Sequence, residues 1–158
     1  MKIIKKQKNK GFSVIEVVIV CSIIFICVFA LMSSSAKSIQ VSEQSLRQAQ
    51  ATLLIEEGVE AVKSIRDGGW SNISNLTNDI EYYLSFSSSW SLSINSNSID
   101  DIFTRQITFS PVYRDANDDI ASSGTLDTGT KKVTVTVSFN NPNGVVSKSL
   151  SFYISDIF

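Results

Sequence analysis

The chain has 158 residues, 14 Lys and Arg against 15 Asp and Glu, two cysteines and no histidine. That length holds one compact domain plus a separate N-terminal segment, and the missing histidine removes the commonest general base and metal ligand at neutral pH. Charge is unevenly spread: residues 1–10 hold five lysines and no acid, while residues 12–158 carry a side-chain charge of −6, which disfavours non-specific binding to nucleic acid.

The first element is a lysine-rich head (Lys2, Lys5, Lys6, Lys8, Lys10) that ends at Gly11 and leads into an apolar run reaching about Met32. Val17–Ala36 is twenty residues without a charge, enough for a helix to cross a bilayer core of ~30 Å. The preceding lysines place the N-terminus in the cytoplasm and residues after 36 outside. Cys21 and Cys27 lie inside the run and point about 240° apart on a helix, so they read as small apolar side chains rather than a disulfide. Glu16 is the anomaly. A charge in hydrocarbon costs roughly 2.5 kcal/mol or more unless a partner neutralises it.

Three readings compete for this segment. A secretory signal peptide would be cut near Ser34-Ser35-Ala36, but the run is longer than an ordinary signal core and contains Glu16 near its start. A plain membrane anchor explains the length and leaves the glutamate unexplained. The third reading takes Gly11, Phe12 and Glu16 as one unit. Gly11-Phe12-Ser13-Val14-Ile15-Glu16-Val17-Val18-Ile19-Val20 resembles the type III signal of type IV pilins and type II secretion pseudopilins. The resemblance implies that a prepilin peptidase cuts between Gly11 and Phe12, methylates Phe12, and leaves the helix on the mature protein. It also implies an assembly role for Glu16, paired with the Phe12 ammonium of a neighbouring subunit.

Beyond the bilayer the helix is expected to continue to Asp67, about 84 Å from Phe12 if unbroken. Ala51, Leu54, Ile55, Gly58, Ala61, Val62 and Ile65 recur at spacings of three and four and form one face, with Glu56, Glu57, Glu60, Lys63 and Asp67 on the other. Gly58 inside this stripe marks close packing or a slight bend, and Gly68-Gly69 is a stop signal.

Trp70–Ser98 is rich in serine and asparagine. Glu81–Phe86 and Trp90–Ile94 read as short strands, the second with Trp90, Leu92 and Ile94 on one face, and an irregular aromatic-anchored connection is the alternative. Phe103–Tyr113, Lys131–Asn140 and Val145–Ile157 alternate apolar and polar residues with period two, as strands of an antiparallel sheet with one wet face. Asn140–Gly144 is a turn. The expected fold is α+β: a long N-terminal helix packed on a C-terminal antiparallel sheet. Its divisions are residues 1–11 as leader, 12–36 as the transmembrane and assembly half of the helix, and 37–67 as the amphipathic half. Residues 68–158 complete one globular domain with 37–67.

Segments 56–67 with Trp70, 113–124 and 130–133 are similar to parts of minor pilin-like proteins, and Ser33 stands where many major pilins have a proline. The resemblance implies a minor pilin or pseudopilin, located in the cytoplasmic membrane and then in a pilus or pseudopilus. Its partners would be prepilin peptidase, other pilin subunits, an inner-membrane assembly platform and the lipid bilayer. An adhesive or DNA-capturing tip subunit and a singly anchored envelope protein are the competing function classes. No cofactor and no catalytic residue is expected: the serines lack a G-x-S-x-G elbow, and the acids lack catalytic spacing. Asp115, Asn117 and Asp119 alternate as calcium-loop ligands would, but Ile120 and Leu126 occupy the positions of the loop glycine and final acid, so a polar turn is the simpler reading. Lys131-Lys132 reads as two solvated lysines, with a DNA contact as the alternative.

Overall fold

The computed structural model describes residue 11, residues 13–142 and residues 144–157. Among the described residues a 54-residue helix, α1 (Val14–Asp67), is followed by a short α2 (Ser71–Ser74) and seven strands. These are β1 (Tyr82–Phe86), β2 (Trp90–Ser93), β3 (Ser98–Ile99), β4 (Phe103–Arg114), β5 (Ile120–Ala121), β6 (Thr125–Asn141) and β7 (Gly144–Ser155). The chain divides between Gln44 and Ser45 into two compact units.

The first unit holds the apolar half of α1. Its β-branched residues favour strands in water, but in hydrocarbon only a helix or closed barrel satisfies the backbone. An 18-residue window of the helix has mean hydropathy 3.1 and none of it is buried, so the helix is long and apolar enough to cross a membrane. Two of its hydroxyls are satisfied locally: Ser22 donates to Val18 O at 2.8 Å and Ser33 to Phe29 O at 3.0 Å.

The second unit contains the rest of α1 and the sheet. Strand order is β2-β1-β4-β6-β7, all antiparallel, with β3 and β5 pairing short stretches of β4. Ala51, Ile55, Gly58, Ala61 and Val62 form the buried stripe of the helix, and Leu54 and Ile65 flank it half-buried. Opposite them lie Phe103, Ile107 and Phe109 from β4 and Val133, Val135, Val137 and Phe139 from β6, all buried. The fold is the expected α+β, a helix covering one face of an antiparallel sheet.

Three local features differ from the sequence expectation. β6 starts at Thr125, six residues before Lys131, because β4 and β6 pair again beyond a register shift. The shift falls between Pro111, which has no N–H to donate, and Val112. Residues 125–130 carry no apolar alternation, so that arm left no period-two signal. In the serine-rich region, β2 is present with Trp90 and Leu92 packed against the core, but Ile94 lies outside the strand and is exposed. The unexpected α2 places Ile73 in the core with no exposure.

Candidate functional site

Two places concentrate the features that bear on function: the start of α1, and the charged contacts that fasten α1 to the sheet. At the start, Gly11 is exposed and outside regular structure, with open space where a Cβ would stand. Phe12 lies outside the described residues, so the expected cleavage bond and methylation site are located only by their neighbours. Ser13 precedes the helix, and its carbonyl accepts from Glu16 N at 3.0 Å and Val17 N at 3.2 Å. Glu16 is therefore in the first helical turn and is exposed. Acidic residues are favoured in a first helical turn, where they meet the positive end of the helix dipole. Exposed Val14, Ile15, Val17 and Val18 surround it in sequence.

The second place is built around Arg105. Its position in the alternation Phe103, Arg105, Ile107, Phe109 points it inward, and its side chain is 5 % exposed. One guanidinium nitrogen donates to the Leu54 carbonyl at 3.1 Å and to Glu57 at 2.9 Å. The guanidinium carbon sits 5.5 Å from the centroid of the Trp90 ring, a cation–π arrangement. The Nε atom is buried without a hydrogen-bond partner. Glu57 thus leaves the polar face on which the sequence placed it and reaches the sheet, with its side chain 47 % exposed. An arginine at an inward position of an alternating strand was the available signal, since a buried charge requires a partner.

Two more basic side chains tie helix to sheet. Arg47 donates to Asn140 O at 3.1 Å. Lys148, on β7, donates to Gln48 O at 3.3 Å and to the Thr52 hydroxyl at 3.2 Å. Carbonyls on the helix surface keep a free lone pair that such donors use.

Lys131 is buried in line with Val133, and its ammonium donates to Leu76 O at 2.8 Å. Burial pushes its pKa below the usual lysine value. The reading of two solvated lysines therefore holds only for the exposed Lys132.

The Asp115–Asp119 loop closes on itself. Asp115 Oδ1 accepts from the backbone of Asn117 at 2.8 Å and of Asp119 at 3.1 Å, and Asp115 N donates to Asp119 O at 2.9 Å. Asp118 lies 3.6 Å from Arg114, whose Nε donates to Asp127 at 2.7 Å. Hydrogen bonds from Arg114, from Thr130 and from the Gly129 backbone hold the Asp127 carboxyl below the usual range. Among the described residues no group of three or more His, Cys, Asp or Glu is placed to hold a metal ion.

Comparison with protein-family models, with curated proteins and with solved structures finds no match to this chain.

Proposed function

We propose that the protein is a structural subunit, a minor pilin or pseudopilin, of a type IV pilus-like filament. In this reading the lysine-rich leader is removed after Gly11 by a prepilin peptidase, Phe12 is methylated, and the subunit waits in the cytoplasmic membrane with its sheet domain outside. The observation that carries the proposal is an apolar, unburied helix with a single carboxylate, Glu16, in its first turn.

The physical argument runs through that carboxylate. A new ammonium at Phe12 of a neighbouring subunit neutralises Glu16 and sets the axial register between subunits. Transfer of the apolar helix from lipid to a bundle of like helices gives little hydrophobic gain, so packing and polar pairs must supply specificity. Leu46 and Leu53, seven residues apart on α1, are 60 % and 63 % exposed. They offer the helix outside the bilayer an apolar contact with another helix.

The test is incorporation into sheared filaments, compared with the amount in membranes. Glu16→Ala is expected to leave membrane levels unchanged and to reduce the filament pool at least about a hundredfold, as the roughly 3–5 kcal/mol cost of removing one partner of a buried pair implies. Equal recovery of variant and wild type in filaments would overturn the register role.

A further inference from the structure

Two neighbouring stretches carry the N-x-S/T spacing of an N-linked glycosylation acceptor: Asn72-Ile73-Ser74 and Asn75-Leu76-Thr77. The fold treats them differently. Asn72 lies inside α2, its carboxamide donates to Ile65 O at 3.3 Å, and Ser74 is half-buried. Asn75 follows the last turn of α2 and is exposed, and its carboxamide makes no hydrogen bond among the described residues. Leu76 packs half-buried against the core, which leaves Asn75 and Thr77 on either side of it in solvent. Thr77 N donates to the Tyr82 hydroxyl at 2.9 Å, so the segment is held in place without use of the Thr77 hydroxyl. Beside it runs a groove of about 370 Å³, lined by Leu76, Asn72, Ser64, Ser89 and Trp90 and, among the described residues, by no charged side chain. Hydroxyls, an amide and an aromatic ring without charge suit an uncharged ring that is rich in hydroxyls and has an apolar face, which is the chemistry of a neutral sugar.

We propose that Asn75 accepts an N-linked oligosaccharide from a polyprenyl-phosphate-linked donor, in a step catalysed by a membrane transferase, and that the attached sugar rests against the groove beginning at Leu76. Asn75 Nδ2 bonds to the anomeric carbon of the donor, and the bond from that carbon to the phosphate oxygen breaks. The lipid phosphate leaves with the electron pair, and one amide proton passes to a base of the transferase. From the acceptor this step needs an uncommitted amide and a hydroxyl two residues further on. Asn75 and Thr77 supply both. Asn72 meets the spacing alone, because its amide is engaged by Ile65 O and Ser74 is partly covered. Every other asparagine in the sequence lacks a serine or threonine two places on. The proposal rests on the reading that puts the sheet domain outside the membrane, the side on which the lipid-linked donor is consumed.

The experiment uses the full chain recovered from its own cells and digested with trypsin, which releases residues 67–105 as one peptide. Mass spectrometry of the wild-type peptide is expected to show the added mass of sugar residues, placed on Asn75 by fragmentation. Asn75→Gln and Thr77→Val should each abolish that mass. Thr77→Ser restores the hydroxyl and should keep it, and Asn72→Gln and Ser74→Ala should leave it unchanged. Circular dichroism of each variant checks that the domain is folded. A bare wild-type peptide, sugar on Asn72 in place of Asn75, or sugar that persists in Thr77→Val would each overturn the proposal. The N-terminal peptide of the same digest separates this site from the filament reading. A bare Asn75 on a chain that starts at Phe12 overturns the site and leaves that reading standing, whereas a sugar on Asn75 of a chain that starts at Met1 does the reverse.

Discussion

Gly58 on the helix lies so close to Val135 on β6 that a methyl group added at Gly58 would come within 2.9 Å of Val135 Cγ1 and 3.2 Å of Arg105 Cδ. The glycine lets the helix approach the sheet at the centre of the buried stripe. Both atoms it would meet belong to side chains with little freedom: a β-branched valine in a central strand and an arginine held at three points. Gly58→Ala gains roughly 1 kcal/mol of helix propensity and loses roughly 1–3 kcal/mol to overpacking. The expected outcome is a net loss of stability of about 1 kcal/mol, and a larger loss for Gly58→Leu. Thermal melts of the full chain in detergent read this directly.

The Arg105–Glu57 pair should respond asymmetrically to truncation. Glu57→Ala leaves a buried guanidinium with the Leu54 carbonyl and the Trp90 ring as its remaining company, and should cost about 1.5–3 kcal/mol, the worth of a hydrogen bond to a charged group. Arg105→Met removes the buried charge and its unpartnered Nε together, and should change stability by less than about 1 kcal/mol, because apolar replacement of a buried ion pair is often neutral or better. Equal losses in the two variants would show that the ion pair itself, rather than the desolvated arginine, governs stability there.

Acid should weaken the β4–β6 arm through Asp127. Its folded pKa is lowered, chiefly by the hydrogen bond from Arg114. The folded state therefore holds the proton less tightly than the unfolded chain, whose aspartates titrate near about 3.9. The stabilisation is fully present above that value and is lost as pH falls through the lower folded value. Asp127→Asn should melt below wild type at about pH 6, and the gap should narrow towards about pH 2. Melting curves across that range check the sign.

Charge at Glu16, rather than size, should matter for assembly. Glu16→Gln keeps shape and hydrogen bonding but loses the anion, so it should fail to enter filaments nearly as severely as Glu16→Ala. Quantitative blots of membrane and filament fractions distinguish this from a packing role, in which glutamine would substitute well.

The fold was legible where one face of an element is apolar and the other is wet. Phe103–Phe109 and Val133–Phe139 alternate so regularly that their strands and inward faces follow from period two, and Ala51–Ile65 does the same at helical spacing. The serine-rich stretch hid α2, because Ile73 is a single apolar residue in a four-residue helix and creates no period. The inward Lys131 and the sheet-facing Glu57 were misplaced for a shared reason. Residue type assigned them to solvent, whereas partners distant in sequence, Leu76 O and Arg105, decide where each charged head goes. At the start of α1 the helical turn around Glu16 matches the sequence reading. The proposed assembly chemistry there depends on a second molecule and on the covalent state of Phe12.

That covalent state is the most direct test of the account. Mass spectrometry of the protein recovered from cells is expected to find an N-terminal peptide that starts at Phe12 and carries one additional methyl group. A peptide beginning at Met1 or at Lys37 would mean that no amine is released at Phe12 to meet Glu16, and the account of assembly would be contradicted.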